Sequence, residues 1–488
     1  MTEEKLNHKI LKKDEFEKMN IFGMGNPNDA YAKYFVGNSF LNPLTEIGSS
    51  SVFLANVTFE PGCRNNWHIH HSTKGGGQIL ICTAGEGWYQ EEGKEAIPLK
   101  PGMIITIPTN VKHWHGAKKD SWFSHIAVYL EKTVLLVYGK NSIKKSGLYD
   151  KVIEILKESN KKVVELAGIK SNPTYNQMME GARLVRENNV DLILGVGGGS
   201  VIDCSKAISV SAYCDGDAWE KYWINFEEVN NKIVPVGSIL TMAGTGSEMN
   251  GGSVITHEEK MLKNGRVFSP EVYPKFSILN PEYTYTVPKY QMISGIFDTL
   301  SHLMEQYFSG DDNNTTDYIL EGVMEALIDN ARVALKNPED YEARSNIMWC
   351  TTIGLNTITG VSKAQDWEVH MIEHQLGAYT DCAHGIGLAI ISIPYYKYIY
   401  KYGLDKFVRF AEKIWKVESK NLTKDEIALA GIEKLSEFIK ELGIPTTLRE
   451  VGTTEDMLPK IANSSVILDG GYKKLTPDEI LTILKEAY

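Results

Sequence analysis

The chain has 488 residues, of which 43% are hydrophobic and 23% charged, and its formal net charge is −11. At roughly 100–200 residues per domain this is a folded multidomain protein, and a largely disordered chain is excluded. The acidic balance argues against a nucleic-acid partner or a basic membrane-surface role. No apolar run approaches the ~18 residues of a spanning helix.

Residues 1–20, MTEEKLNHKILKKDEFEKMN, read as a polar helix and lack the apolar stretch of a secretory signal. The six cysteines contain no C-x-x-C pair. Both features predict a reducing, cytoplasmic setting. Of the twelve histidines, ten fall into two groups: 68, 70, 71, 113, 115 and 125, then 302, 370, 374 and 384. Two separate metal or acid–base sites are the first expectation.

From about 50 to 130 the chain predicts short strands rich in Val, Ile, Thr and aromatics, broken by Gly or Pro: an all-β domain over 1–131. One stretch runs Gly62-x5-His68-x-His70, then seven residues to Gln78-x6-Gly85; the second runs Gly102-x5-Pro108-x4-His113. Residues two apart in a strand share a face, so His68 and His70 can point inward together and His113 can meet them. Three imidazoles and the Gln78 oxygen would hold a first-row divalent metal, with manganese, iron, nickel and zinc all open. His115 shares a face with His113, and His71 is expected at the start of the loop containing KGGG. These two stretches resemble the signature motifs of the cupin family. The similarity implies a cupin barrel, nearest to carboxymuconolactone decarboxylases and metal-dependent hydroxynitrile lyases, with Gln78 where cupins usually place Glu.

At about 132 the texture changes. TVLLVYG, KVVELAG and DLILGVGGGS read as buried strands alternating with helical stretches, which predicts an α/β domain with a parallel sheet over 132–286. Gly197-Gly198-Gly199-Ser200 falls between a strand and a helix, where backbone N–H groups can approach a pyrophosphate. A second loop, TMAGTGSE from Thr241 to Glu248, follows another strand. Together the two loops suggest a nucleotide site. Lys140 and Ser142, after the first strand, could accept a 2′-phosphate, so both NAD and NADP stay open.

From 287 to 488 nearly everything reads as helix. Asp298 and His302 are four apart and share a helix face, as do His370 and His374, with His384 following. One carboxylate and three imidazoles make a first shell for iron or zinc.

Residues 133–488 resemble the iron-containing alcohol dehydrogenases, especially the butanol dehydrogenase branch. The motifs carrying the resemblance are GGGSVIDCSK, TMAGTGSE, SILNPEYTYTVPKYQ, GIFDTLSHLMEQYF, HMIEHQLGAYTDCAHGIGLA and LTPDEILTILKEAY. It implies metal ligands at Asp298, His302, His370 and His384, and a nicotinamide-side catalytic histidine at His374. It also implies dinucleotide contacts at Gly198, Gly199, Ser200, Asp203, Lys206, Thr241 and Thr245. The implied activity is NAD(P)-linked interconversion of small alcohols and aldehydes by a homo-oligomer. Family members usually carry a further segment ahead of the first strand; here the cupin-like stretch runs almost directly into TVLLVYG.

Overall fold

Strands rich in Val, Ile, Thr and aromatic residues give the first part of the chain two antiparallel sheets. In the computed structural model, which describes residues 12–46, 52–70, 77–130, 132–159, 161–310 and 314–488, the first sheet has the order Asn26–Pro27, Ser39–Pro43, Val52–Phe59, Phe123–Leu130, Gln78–Gly85, Ile104–Ile107. The second runs Phe35–Val36, Arg64–Asn65, Lys112–Ala117, Gly87–Glu91, Ile97–Leu99, with His68–Ile69 also paired to Lys112–Ala117. Val57, Phe59 and Leu80 of the first sheet share a core with Tyr89 and Leu99 of the second. Of the polar stretch 1–20, Lys13–Met19 is helical, and residues 1–11 lie outside the described residues.

The chain divides into two compact units: Met1–Lys132 with Ile155–Lys162, and Thr133–Glu154 with Val163–Tyr488. The second unit therefore holds both the α/β and the helical parts. Its parallel sheet has the order Lys161–Leu166, Lys132–Tyr138, Leu192–Gly197, Val236–Leu240, Ser277–Leu279. The three central strands are near-continuous, mostly buried runs because both faces are covered, whereas the edge strands Lys161–Leu166 and Ser277–Leu279 are only partly buried. Leu135, Val137, Ile193 and Val236 pack with Val201 and Ile208 of the helix Gly199–Ser211.

The helix Lys289–Tyr307 starts directly after Pro288, which cannot continue a helix backwards. It is buried on every side from Met292 to Tyr307, so its polar residues must find partners inside the protein. Gly295 lets the TMAGTGSE loop lie against this helix: a Cβ there would stand 2.0 Å from the Ala243 carbonyl oxygen. Thr299 Oγ1 then donates to the Gly244 carbonyl at 3.1 Å. That close approach ties a loop expected to hold the nucleotide to the helix expected to hold the metal.

Sequence reasoning does not foresee the antiparallel hairpin Gly252–His257 with Leu262–Val267. Its connection, EEKM, has no Gly or Asn to mark a turn.

Candidate active site and metal centres

Two turns of the helix Lys289–Tyr307 present Asp298 and His302 on one face. The helix Glu368–Thr380 presents His370, and His384 opens the helix His384–Ile399. The Nε2 atoms of His302, His370 and His384 lie 3.3, 3.9 and 3.6 Å from Asp298 Oδ1. Two of these separations are too long for hydrogen bonds, and Asp298 Oδ1 and His370 Nε2 are buried without a hydrogen-bond partner among the described residues. Four donor atoms converge on a common space, two of them buried without a hydrogen-bond partner among the described residues, which fits a divalent cation.

The electrostatics agree. Burial works against a charge on Asp298, yet His302, His384 and His370 hold its carboxyl well below the usual range. Burial likewise opposes charge on His370, but the Glu305 and Asp298 carboxylates outweigh it and push its pKa up to about 10. The pocket draws positive charge to this point, and a metal ion answers that field as a proton does. For His302 burial prevails, pushing its pKa down to about 3, which leaves a neutral imidazole ready to ligate.

Two carboxylates that sequence reasoning does not single out fix the ligands. Glu305 accepts from the backbone N–H of Val369 at 2.9 Å and from His370 Nδ1, so it caps the helix Glu368–Thr380 and aims His370 together. Glu373 accepts from His384 Nδ1, and from Lys263 Nζ at 3.1 Å. Each lies on a ligand-bearing helix, at three residues from His302 and from His370 (305 − 302, 373 − 370). That spacing on the ligand face is the signal that could have found them.

His374 stands one turn beyond His370 and is buried, with its ring centroid 6.3 Å from that of His370, against 4.8 Å for His302. A Cβ on Gly265 would lie 3.4 Å from His374 Cε1. Burial, followed by the Lys263 ammonium, pushes His374 well below its ordinary pKa.

Two cavities meet at this centre. One, of about 690 Å³, is lined by His302, His370, His374 and His384 together with the hairpin. The other, of about 360 Å³, is lined by Gly198, Gly199, Thr241 and Asp298, and by Ser142. Ser200, Thr245 and His384 line both. Gly198 is the N-cap of the helix Gly199–Ser211, so this helix's free N–H groups open toward the smaller cavity. A Cβ on Gly199 would stand 2.1 Å from Thr245 Oγ1 and 2.7 Å from its Cβ. Gly199→Ala is therefore expected to displace Thr245 and weaken dinucleotide binding about tenfold or more while metal content stays intact. Titration of NADH or NADPH fluorescence with metal analysis checks it.

The expected contacts Asp203 and Lys206 are placed differently. Lys206 is fully buried and lines neither cavity; its ammonium donates to Ser247 O at 2.9 Å and to Asn250 O at 3.2 Å. Asp203 accepts from Ser247 Oγ, and from the Val254 N–H at 2.9 Å, and reaches the wall of the larger cavity. The pair anchors the end of the TMAGTGSE loop and the hairpin.

In the first unit His113 pairs directly opposite His68 across two strands. The His68, His70 and His113 rings are 4.2–5.2 Å apart, centroid to centroid. Their ligand atoms lie within 4.8 Å of one another. His68 Nδ1 donates to Asn66 O at 2.8 Å and His113 Nδ1 to Val111 O at 2.9 Å, which turns each Nε2 toward the other rings. His113 Nε2 is buried without a partner among the described residues. Gln78, buried, neighbours His70. Burial, then His68 and His113, push His70 down to about 4, so the imidazoles are neutral and fit a metal. His115 and His125 lie beside them, fully buried, with centroids 4.8 Å apart. His71 lies outside the described residues.

A family model described as iron-containing alcohol dehydrogenase matches residues 112–281, and one for the C-terminal part of that family matches 292–488. A cupin domain model matches 55–129, so 112–129 are claimed by both. The NADH-dependent butanol dehydrogenase A of Clostridium acetobutylicum is 40% identical over 389 residues, covering 78% of this chain and 98% of that protein. The NADPH-dependent aldehyde reductase YqhD of Escherichia coli is 36% identical over 67% of this chain and 84% of its own. The crystal structure of NADH-dependent butanol dehydrogenase A from Thermotoga maritima superposes with a TM-score of 0.69 at 36% identity, covering 73% of this chain and 91% of that one. With a cupin domain at its front, the chain belongs to the iron-containing alcohol dehydrogenase family.

Proposed function

We propose that this protein interconverts small alcohols and aldehydes with NAD or NADP, using a metal held by Asp298, His302, His370 and His384. The observation that carries the reading is the convergence of three imidazole Nε2 atoms on the buried Asp298 Oδ1, in a wall shared by both cavities through His384. Bound iron, or zinc in its place, would supply Lewis acidity toward the substrate oxygen, and the nicotinamide would supply or take the hydride. The chain's own residues do the rest. Gly198, Gly199, Ser200, Thr241 and Thr245 bind the dinucleotide. Glu305 and Glu373 hold the Nδ1 protons of His370 and His384, so that each Nε2 stays free to ligate. His374 orients the nicotinamide or holds a proton beside it, and the apolar walls of the larger cavity exclude water. We divide the chain at 131/132 and 286/287 into a cupin closed as a barrel, a dinucleotide-binding part and a helical metal-binding part, and we take the enzyme to be a cytoplasmic homo-oligomer. Oxidation of NADH and NADPH by purified protein against a panel of aldehydes tests the activity.

The cupin holds its own divalent metal on His68, His70, Gln78 and His113. The two ligand sets share no residue, so His113→Ala is expected to lower metal content by one equivalent and leave the metal on Asp298 in place. Gln78→Glu should keep the cupin metal or tighten it. Elemental analysis of the two variants checks both outcomes. A second reading gives the cupin lyase or decarboxylase chemistry, or small-molecule sensing; buried His115 and His125 beside the three ligands favour the catalytic form. Release of a carbonyl product without any nicotinamide would support it.

A further inference from the structure

We propose that Gly265 sets which aldehydes this enzyme takes: by bringing no side chain to the wall beside His374, it leaves room for a substrate that branches at carbon 2, next to the carbonyl. The inference rests on the aldehyde-reducing reading above and names the substrate class of that same site.

Gly265 lies in the strand Leu262–Val267, opposite Val254 of the strand Gly252–His257. Side chains alternate along a strand, so positions 263, 265 and 267 share one face. That face meets the helix Glu368–Thr380. Lys263 Nζ lies 3.1 Å from Glu373 Oε2, and a Cβ on Gly265 would lie 3.4 Å from His374 Cε1. Apart from its chain neighbours, the one other atom within 4 Å of that Cβ among the described residues is Val254 Cγ2, also at 3.4 Å. Val254, Lys263, Gly265 and His374 all line the larger cavity and none of them lines the smaller one.

Neither backbone shape nor packing explains a glycine here. Its φ lies outside the left-handed region, and 3.4 Å is an ordinary van der Waals contact. Other glycines near the site have a local reason. A Cβ on Gly251 would stand 2.3 Å from the Phe268 carbonyl oxygen, and one on Gly385 would stand 1.9 Å from that of Ser294. Gly252, on the same face as Gly265, has Asn250 Oδ1 at 3.0 Å from its Cβ position. A glycine inside a strand weakens it, and one with open space on its side-chain face marks a close approach of something else.

The position of this room says what fills it. The His374 ring centroid is 5.6 Å from that of His384 and 6.3 Å from that of His370. Space beside those histidines takes bulk next to the carbonyl, not at the far end of a chain. The atoms that bound it, Val254 Cγ2 and His374 Cε1, are carbons, and the cation on this face, Lys263, is committed to Glu373. An alkyl branch suits such walls better than a polar group. In the reaction carbon 1 takes a hydride from reduced nicotinamide and its oxygen takes a proton from solvent, giving the alcohol and oxidised nicotinamide. Carbon 2 is unchanged, so branching there acts through fit.

The test compares two isomeric pairs, 2-methylpropanal with butanal and 2-ethylbutanal with hexanal, in the full-length enzyme and in Gly265→Ala and Gly265→Val. Each pair shares one molecular formula, so the ratio of kcat/KM reads shape. In the parent, the branched isomer should at least equal the linear one in one pair or both. Gly265→Ala should lower the branched-to-linear ratio about threefold and Gly265→Val about tenfold or more, with the KM for nicotinamide unchanged. Gly265→Ala adds one methyl group at ordinary contact distance, so it keeps the test open should the valine variant fail to fold. A ratio unchanged in the folded variants overturns the proposal. So does a rise in the KM for nicotinamide with both isomers slowed alike, which would give the room to the cofactor. A parent enzyme that prefers the linear isomer in both pairs overturns it without any variant, and leaves the aldehyde-reducing reading standing. Turnover of no aldehyde sinks that reading and this inference with it.

Discussion

His370→Ala is expected to remove one metal equivalent and to lower kcat/KM for aldehyde reduction roughly a thousandfold, the loss of several kcal/mol of transition-state stabilisation. His370 supplies one of the four donors around Asp298 Oδ1, and its Nε2 has no partner there among the described residues. Its removal leaves a carboxylate and two imidazoles, too few to hold a divalent ion tightly. His374 is the control. It lies one turn along the same helix, farther from the other rings, so His374→Ala should slow turnover but keep the metal. Elemental analysis of both variants beside steady-state kinetics separates the roles. Loss of metal in His374→Ala with retention in His370→Ala would reverse the assignment.

The second large effect belongs to a residue that touches no substrate. Glu305 is fully buried, accepts from His370 Nδ1, and caps the helix that carries His370 and His374. Glu305→Ala leaves that histidine and the helix's first N–H groups without their acceptor. Metal affinity should fall about 10–100-fold, and stability by about 1–3 kcal/mol for the unsatisfied groups. Glu305→Gln keeps an acceptor oxygen but removes the charge that draws a cation to the site. It should therefore recover most of the stability and only part of the metal affinity. Competition with a chelator reads the affinity, and thermal unfolding of the metal-free forms reads the stability. Equal metal affinity in all three proteins would show that Glu305 does not position His370.

What the sequence discloses here follows from spacing. Asp298 and His302 are four apart in a strongly helical run, and DLILGVGGGS reads as strand, loop and helix from its residue pattern alone. Two-residue strands such as Arg64–Asn65 and His68–Ile69 are invisible because no period can show in two residues. The partnerships around the metal are hidden for another reason. Glu305 meets His370 across 65 residues and Lys263 meets Glu373 across 110, and a glutamate in a helix is ordinarily a solvated one. Lys206 shows the converse. The family resemblance implies a cofactor contact there, whereas its ammonium donates to Ser247 and Asn250. The hairpin bearing Lys263 and Arg266 lacks a turn signal, so the wall that faces the ligand histidines has no counterpart in the sequence pattern.

The most direct test is metal removal and return. Aldehyde-dependent oxidation of NADH or NADPH is measured on the purified protein, again after a chelator has stripped it, and again after ferrous iron is restored without oxygen. The same cycle is run on His113→Ala. The account predicts activity lost on stripping and regained with iron in both proteins, because the metal that matters is held by Asp298, His302, His370 and His384. Turnover that survives complete stripping, or that iron restores in the parent but not in His113→Ala, would contradict it.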